Sequence, residues 1–399
     1  MDPIQIIILI MAIELALYLA SNASPRVRDA LSRIGLEPIP LGILIKRRSS
    51  GEALDRFRGS RSARVFFTLG IPVMAASMVI FYLFVYIVGI DFVARYIRAS
   101  SYGGETPSPP LVPIIPGLTI TGMDIVYLLI AIGVSVTLHE LGHAIAAKAE
   151  HLRLKSYGAG LFLFMPLAFV ELEEEEEILR SRRLTAGRIL SGGVLMNMVL
   201  FVIFAGAMIL ALMLAPLAGV SQGVIVDSIE KGSLADRSGI SPGLLIQSIN
   251  GTPIRSIEDF MRYRAYIASR EPVYLDIRGI HPNGTRYSSI IYKPENITRL
   301  GIYLSLAPLG FGLSTGALVH VWGDGYSRLY WLEEILRIFL WISIVSISLA
   351  VINAAPLFIT DGGKLLDTLL PRRLSKPLQI ITTAGFILIF ALSLANFIS

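Results

Sequence analysis

His139-Glu140-Leu141-Gly142-His143 is the segment whose residue types and spacing most directly imply chemistry. Histidines four positions apart share one face of a helix, so both imidazoles reach a single divalent ion. The glutamate between them is then placed as general base on a water that the ion activates. The chain has no cysteine, which excludes thiolate ligands, disulfides and cysteine nucleophiles. Any metal must rest on His, Asp or Glu. Two imidazoles and a water leave a tetrahedral Zn²⁺ site one ligand short, and the missing ligand must be an Asp, a Glu or another His brought to the same depth.

The elements that position this motif are apolar. The 399 residues are 54% hydrophobic and only 16% charged, against about 25% charged in soluble domains. This argues against a soluble enzyme, a nucleic-acid binder and a disordered chain. The net charge of +5 then reads as cytosolic anchoring of a membrane protein rather than as a nucleic-acid surface. A membrane-spanning helix needs about 20 mostly apolar residues. Six spans are expected: 4–20 (interrupted by Glu14), 65–90, the run 125–138 that leads into the histidines, one helix within 189–226, 338–360 and 377–399. The first has no basic leader and no small-residue cleavage site, so it reads as a retained span rather than a signal peptide.

Basic residues set the orientation. Between the first two spans, Arg26, Arg28, Arg33, Lys46, Arg47, Arg48, Arg56, Arg58, Arg61 and Arg64 face only Asp29, Glu37, Glu52 and Asp55, which places that loop in the cytosol. Alternation puts 91–121 outside, 150–187 inside, 227–332 outside and the Arg372, Arg373, Lys376 turn inside. Both termini are then extracytosolic. His139 precedes Lys148 by nine residues, about 13 Å along a helix from the cytosolic edge. The third ligand must come from the cytosolic half of another span, and Asp361 qualifies, because the fifth span runs inward and ends there. Pro356 breaks that helix, so the residues after it can be extended at membrane depth where they line a protein cavity.

From Gln222 to about Lys293 the chain turns polar. Strands are expected over 223–227 and 244–249, a turn at Asn250-Gly251, a helix over 256–267 with Ser256 as cap and Asp259 three residues on, and paired strands over 272–280 and 286–293. The run resembles a bacterial-type PDZ domain at Gly223-Val224, Ser238-Gly239-Ile240, Gly243, Ile249-Asn250-Gly251 and Pro253-Ile254, departing at Leu244, where Asp is common. The resemblance implies binding of an extended peptide or C-terminal tail by strand addition, with Gln222, Gly223 and Val224 forming the carboxylate loop.

The HExxH span, the insert and Asn353-Ala-Ala-Pro356-Leu-Phe-Ile-Thr360-Asp361-Gly362 together resemble the site-2 protease family of intramembrane zinc metalloproteases. Phe169-Val170-Glu171 and Gly193-Val-Leu-Met-Asn197 add to the likeness, which covers most of the chain from residue 117 onward. Thr360 departs from it, since the family often has Leu there. The resemblance implies that His139, His143 and Asp361 ligate Zn²⁺ and that Glu140 activates the water. It places Asn197 across the site, stabilising the oxyanion or the substrate backbone, and gives Asn353 to the extended substrate. It also implies that 157–170, too short to span, is a membrane-embedded β-hairpin beside the cleft.

The expectation is a polytopic α-helical membrane protein of about six transmembrane helices, with an extracytosolic mixed α/β PDZ-like domain inserted between spans four and five. Its parts are an N-terminal region (1–116), the first catalytic membrane segment (117–220), the PDZ-like domain (221–296), a connector (297–332) and the second catalytic segment (333–399). The expected function is endopeptidase action on transmembrane protein substrates in the lipid bilayer of the cell, with the active site toward the cytosol. The resemblance implies that such cleavage follows a first cut by another protease. A non-catalytic membrane scaffold holding partners through the insert is the alternative. A transporter would call for internal symmetry, which the uneven division of spans around the insert does not offer. The acidic run at Glu171 and 173–177 reads as a solvated segment, His151, His281 and His320 as loop residues, and Glu14 has no assigned role.

Overall fold

The structure, a computed structural model, describes residues 3–48, 54–102, 107, 120, 122–172, 182–214, 223–306, 309–312, 316–319 and 329–398. In chain order, α1 (Pro3–Ala23) and α2 (Pro25–Arg33) lead into β1 (Leu36–Ile39) and β2 (Gly42–Arg48). Next come α3 (Arg61–Thr68), α4 (Gly70–Phe81), a π-helical turn at Tyr82–Ile87, α5 (Val88–Tyr102) and α6 (Asp124–Ala149). The strands β3 (Leu154–Phe162) and β4 (Met165–Leu172) precede α7 (Arg183–Leu190) and α8 (Gly192–Leu214). The polar stretch holds β5 (Val224–Ile229), α9 (Leu234–Arg237), β6 (Leu245–Ile249), β7 (Thr252–Pro253), α10 (Ile257–Met261), α11 (Arg264–Ala268), β8 (Val273–Ile280), β9 (Arg286–Lys293) and β10 (Ile302–Leu306). After the short β11 (Leu309–Gly312) and β12 (Gly316–Val319), the chain ends in α12 (Tyr330–Ala354), α13 (Asp361–Leu369) and α14 (Arg372–Ile398).

Among the described residues, six helices are long and apolar enough to cross a membrane: Gln5–Ala23, Arg61–Ser101, Asp124–Ala149, Gly192–Ala211, Trp331–Ala354 and Arg372–Asn396. The number matches the expectation from uncharged runs. The second is longer than its uncharged run, at 41 residues, or about 60 Å at 1.5 Å per residue against a hydrocarbon core of about 30 Å. Its charged ends, Arg61–Arg64 and Asp91–Arg98, are helical too, and Arg95 pairs with Asp91 one turn away.

The chain divides into two compact units, residues 1–114, 125–204 and 341–399, and residues 115–124 and 205–340. The first is held by a core of mainly small side chains, among them Ala146, Ala147, Ala186, Ala350 and Ala354, packed with Phe67, Met74, Ile189 and Leu195. Small residues let helix backbones approach where lipid removes the hydrophobic drive between helices. Arg188 pairs with Glu150 at 2.7 Å and donates to Thr68 at 2.9 Å, tying α7 to α3 and to the end of the HExxH helix.

The expected hairpin of 157–170 is present as β3 and β4, but it does not stand alone. The segment read as a basic loop supplies β1 and β2, giving an antiparallel sheet of order β1-β2-β3-β4 with β4 at its edge. The register runs from Gly42 opposite Phe162 to Arg48 opposite Ser156. Glu171 is therefore more than a solvated acid: it accepts from Lys46 at 2.7 Å and from Ser156 at 2.6 Å. The rest of the acidic run lies outside the described residues, as does His320.

In the second unit all pairings are antiparallel, in the order β10-β5-β6-β8-β9 with β7 on β6. Val224, Val226, Leu244, Ile246, Ile249, Leu275 and Ile277 are fully buried at its core. Leu244, the departure from the PDZ pattern, is thus a core residue. Asn250 and Gly251 both take positive φ (50° and 77°), as a tight two-residue turn requires. Ser256 caps the expected helix by accepting from Asp259, yet the helix is two short pieces, with Tyr263 at the junction donating its hydroxyl to the Ile249 carbonyl at 2.9 Å.

Two expectations for this unit need correction. The sheet does not end near 296, because Ile302–Leu306, read as connector, pairs with β5. That pairing also removes the expected carboxylate loop: Val224 sits between Leu306 and Ile246, and Gly223 beside it is buried, so no peptide can add to that strand. Gln222 lies outside the described residues. Among the described residues the outer strands of this sheet are β10 and β9.

Candidate metal centre

The HExxH helix, α6, carries His139 and His143 one turn apart, with ring centroids 4.8 Å apart and planes at 79°. Asp361 reaches them from the first residue of α13, 222 positions along the chain from His139. His139 Nε2, His143 Nε2 and Asp361 Oδ2 form a triangle with all three sides at 3.1 Å. Two imidazole nitrogens and a carboxylate oxygen meeting at one point cannot all share protons well. They do fit one face of a tetrahedron around a metal with ligands at about 2.0–2.1 Å, whose edges are about 3.3 Å. The donor set, two nitrogens and a carboxylate oxygen with no thiolate, suits Zn²⁺ and leaves a fourth position open.

The surroundings fix which ring nitrogens face that point. His143 Nδ1 is 2.8 Å from the carbonyl of Ile189, to which it donates, leaving Nε2 unprotonated as a ligand. His139 Nδ1 is 3.1 Å from the Asn197 amide. Asn197 is fully buried, and among the described residues its Oδ1 has no hydrogen-bond partner. With the amide turned so that Oδ1 accepts the Nδ1 proton, both needs are met at once. Gly193, one helical turn before Asn197, makes the room. A Cβ there would stand 2.5 Å from the His139 ring.

Glu140 lies beside the open edge of the four-stranded sheet, where its Oε2 accepts from the backbone N–H of Val170 at 3.0 Å. The structure thus brings together His139, Glu140, His143, Asp361 and Asn197. Asn353, half-buried near the end of α12, makes no hydrogen bond to the three ligands among the described residues. Sequence reasoning missed the Ile189 carbonyl and the Val170 amide, which as backbone atoms have no residue signature. It also missed Gln379, a buried amide on α14 that donates to Gly363 two residues past Asp361, at 2.8 Å. A polar side chain inside an apolar span was the available signal for it.

Comparison with known proteins agrees with this geometry. The profile of Peptidase family M50 matches residues 127–394, from α6 through α14. A Clostridium perfringens (strain 13 / Type A) protein whose name describes a zinc metalloprotease is 24% identical over 333 residues, covering 68% of this chain and 96% of that protein. An uncharacterized protein of Methanocaldococcus jannaschii is 32% identical over 201 residues, 49% of this chain; the match spans about half, 47%, of that relative's length. The family match covers well over half of the chain and contains every residue of the triangle, so the chain belongs to peptidase family M50, the site-2 protease family of zinc metalloendopeptidases.

Proposed function

We propose that this protein hydrolyses peptide bonds in or near the transmembrane segments of other membrane proteins, in regulated intramembrane proteolysis. The observation that carries the reading is the position of Glu140 and the ligand triangle. Glu140 lies against the outer strand β4 and shares a helix with two of the three ligands, in a unit built of helices long enough to span a membrane.

His139, His143 and Asp361 hold Zn²⁺, while the Ile189 carbonyl and Asn197 fix the two rings. Bound zinc supplies Lewis-acid chemistry, acidifying a water and polarising a carbonyl. Val170 anchors one Glu140 oxygen and leaves the other to take a proton from water and pass it to the leaving amine. Asn197 serves the His139 ring rather than an oxyanion. A substrate helix must unwind before attack, and pairing with the edge of β4 offsets the hydrogen bonds it loses. Asn353, within the same catalytic membrane core (117–220 and 333–399), is available to an extended substrate.

The excess of basic residues between the first two spans supports a cytosolic opening for the active site and an extracytosolic place for the insert. The insert reads as PDZ-like, extended past 296 to include β10. A peptide or C-terminal tail would occupy the 670 Å³ groove between the β10 edge and α10–α11, lined by Phe260, Ile267, Arg299, Leu300 and Ile302.

The test is cleavage, in liposomes, of a transmembrane substrate with a weakened helix. Wild type is expected to cut it. Glu140→Gln is expected to retain stoichiometric zinc and to lose activity by about 10²–10⁴-fold or more, and a chelator to silence wild type. Undiminished cleavage by Glu140→Gln would overturn the assignment.

A further inference from the structure

Thr360, which departs from the family pattern just before the third ligand, occupies a position that uses everything a hydroxyl offers. It is buried, and its Oγ1 accepts from the backbone N–H of Leu357 at 3.2 Å and of Gly363 at 3.3 Å. The same hydroxyl donates to the Ala355 carbonyl, with the Leu357 carbonyl 3.2 Å away as a second acceptor. A hydroxyl has one donor and two acceptor positions, and here all three are engaged.

Those partners bracket Asp361. Ala355 and Leu357 form the turn around Pro356 that ends α12, and Gly363 lies in the first turn of α13. The two segments are pressed together: a Cβ on Gly362 would stand 2.0 Å from the Ala354 carbonyl oxygen, and one on Gly363 1.8 Å from that of Leu357. Gln379 holds the Gly363 carbonyl at 2.8 Å from α14. Gly363 is buried, where little water is available to replace a lost partner, while the Leu357 N–H also reaches the Ala355 carbonyl at 2.9 Å.

We propose that Thr360 is a positioning residue for the metal centre. Its hydroxyl closes the turn from Ala355 to Gly363, so that the Asp361 carboxylate stands at both imidazoles before any metal arrives. The proposal rests on reading His139, His143 and Asp361 as a zinc site, and it adds the residue that sets the third ligand's backbone.

The test uses the full chain in detergent, with Zn²⁺ affinity measured by chelator competition and ligand geometry by the visible absorption of bound Co²⁺. Thr360→Val keeps the shape and removes the hydroxyl, and it is expected to bind Zn²⁺ about 10–100-fold more weakly with a shifted Co²⁺ spectrum. Thr360→Ser is expected to restore wild-type affinity and spectrum. Should the Val variant not fold, Thr360→Ala removes the same hydroxyl with less bulk. A hydroxyl-free variant with wild-type affinity and spectrum overturns the proposal, and so does a Ser variant as weak as Val, since packing would then be the cause. A wild type that takes up neither ion overturns the zinc reading itself, which separates the two failures.

Discussion

The two units hold their polar groups in different ways. In the second, many polar contacts are local, and others tie a strand to a nearby loop: Ser233 caps through Asp236, Ser256 through Asp259, Asn283 through Thr285, and Lys293 on β9 donates to the carbonyls of Ser269, Glu271 and Ile297. In the first, local contacts such as those of Thr360 are joined by ones that cross the chain. Ser135 meets Ser346 at 2.9 Å, Tyr82 meets Thr382 at 2.9 Å, and the ligand triangle joins positions 222 apart. A local contact forms as soon as its own element forms, whereas a long-range one exists only when several helices are in place. The metal centre is therefore a property of the whole bundle, while the second unit's sheet is a property of its own core.

The largest effects test whether the triangle acts as a unit. Asp361→Ala removes one of three protein ligands and should abolish stoichiometric zinc and peptide cleavage together. The thermal unfolding signal of the second unit should not move. If Asp361→Ala bound zinc as wild type does, another group would have to supply the third ligand.

Lys293→Ala makes the reciprocal test. It is fully buried, and its ammonium spends its three protons on three carbonyls at 2.7–2.9 Å. Stranding buried polar groups costs about 1–3 kcal/mol each, so the second unit should lose about 3 kcal/mol or more, seen as faster limited proteolysis within 223–306. Zinc affinity should stay at the wild-type value. A parallel fall in zinc binding would break the contrast between the units.

Asn197→Leu probes the link between one long-range contact and the metal. It removes the partner of His139 Nδ1 without touching a ligand, and zinc should bind about 10–100-fold more weakly. Unchanged affinity would show that helix packing alone orients the ring.

The same contrast explains what could be read in advance. HExxH, the Asn250-Gly251 turn and the Ser256 cap are short-range signals, and each is where its residues place it. The six spans follow from composition alone. Asp361 needed a topological argument, because its proximity to His139 is set by the depth of two helices. β2 escaped notice because Gly42-Ile-Leu-Ile-Lys-Arg-Arg48 changes from apolar to basic along its length instead of alternating, and so reads as a membrane-edge loop. The carboxylate loop was placed at 222–224 because strand edges depend on pairing. The return of Ile302–Leu306 onto β5 makes β10, and not β5, the outer strand on that side of the sheet.

The smallest effect lies at the polar end of the four-stranded sheet, where β2 was missed. The hydrogen bond from Lys46, reinforced by that from Ser156, holds the Glu171 carboxyl below its ordinary range. A carboxyl lowered on folding stabilises the protein above its unfolded-state value, near 4.3, and that contribution fades as pH falls through the folded value. Lys46→Met should therefore lower the unfolding temperature at pH 7 and make no difference in strong acid. The pair is partly exposed, so screening keeps its worth under about 1 kcal/mol, and added salt should shrink it further. A difference between the variants that persisted in acid would assign the loss to packing of the Lys46 stem on β3 rather than to the ion pair.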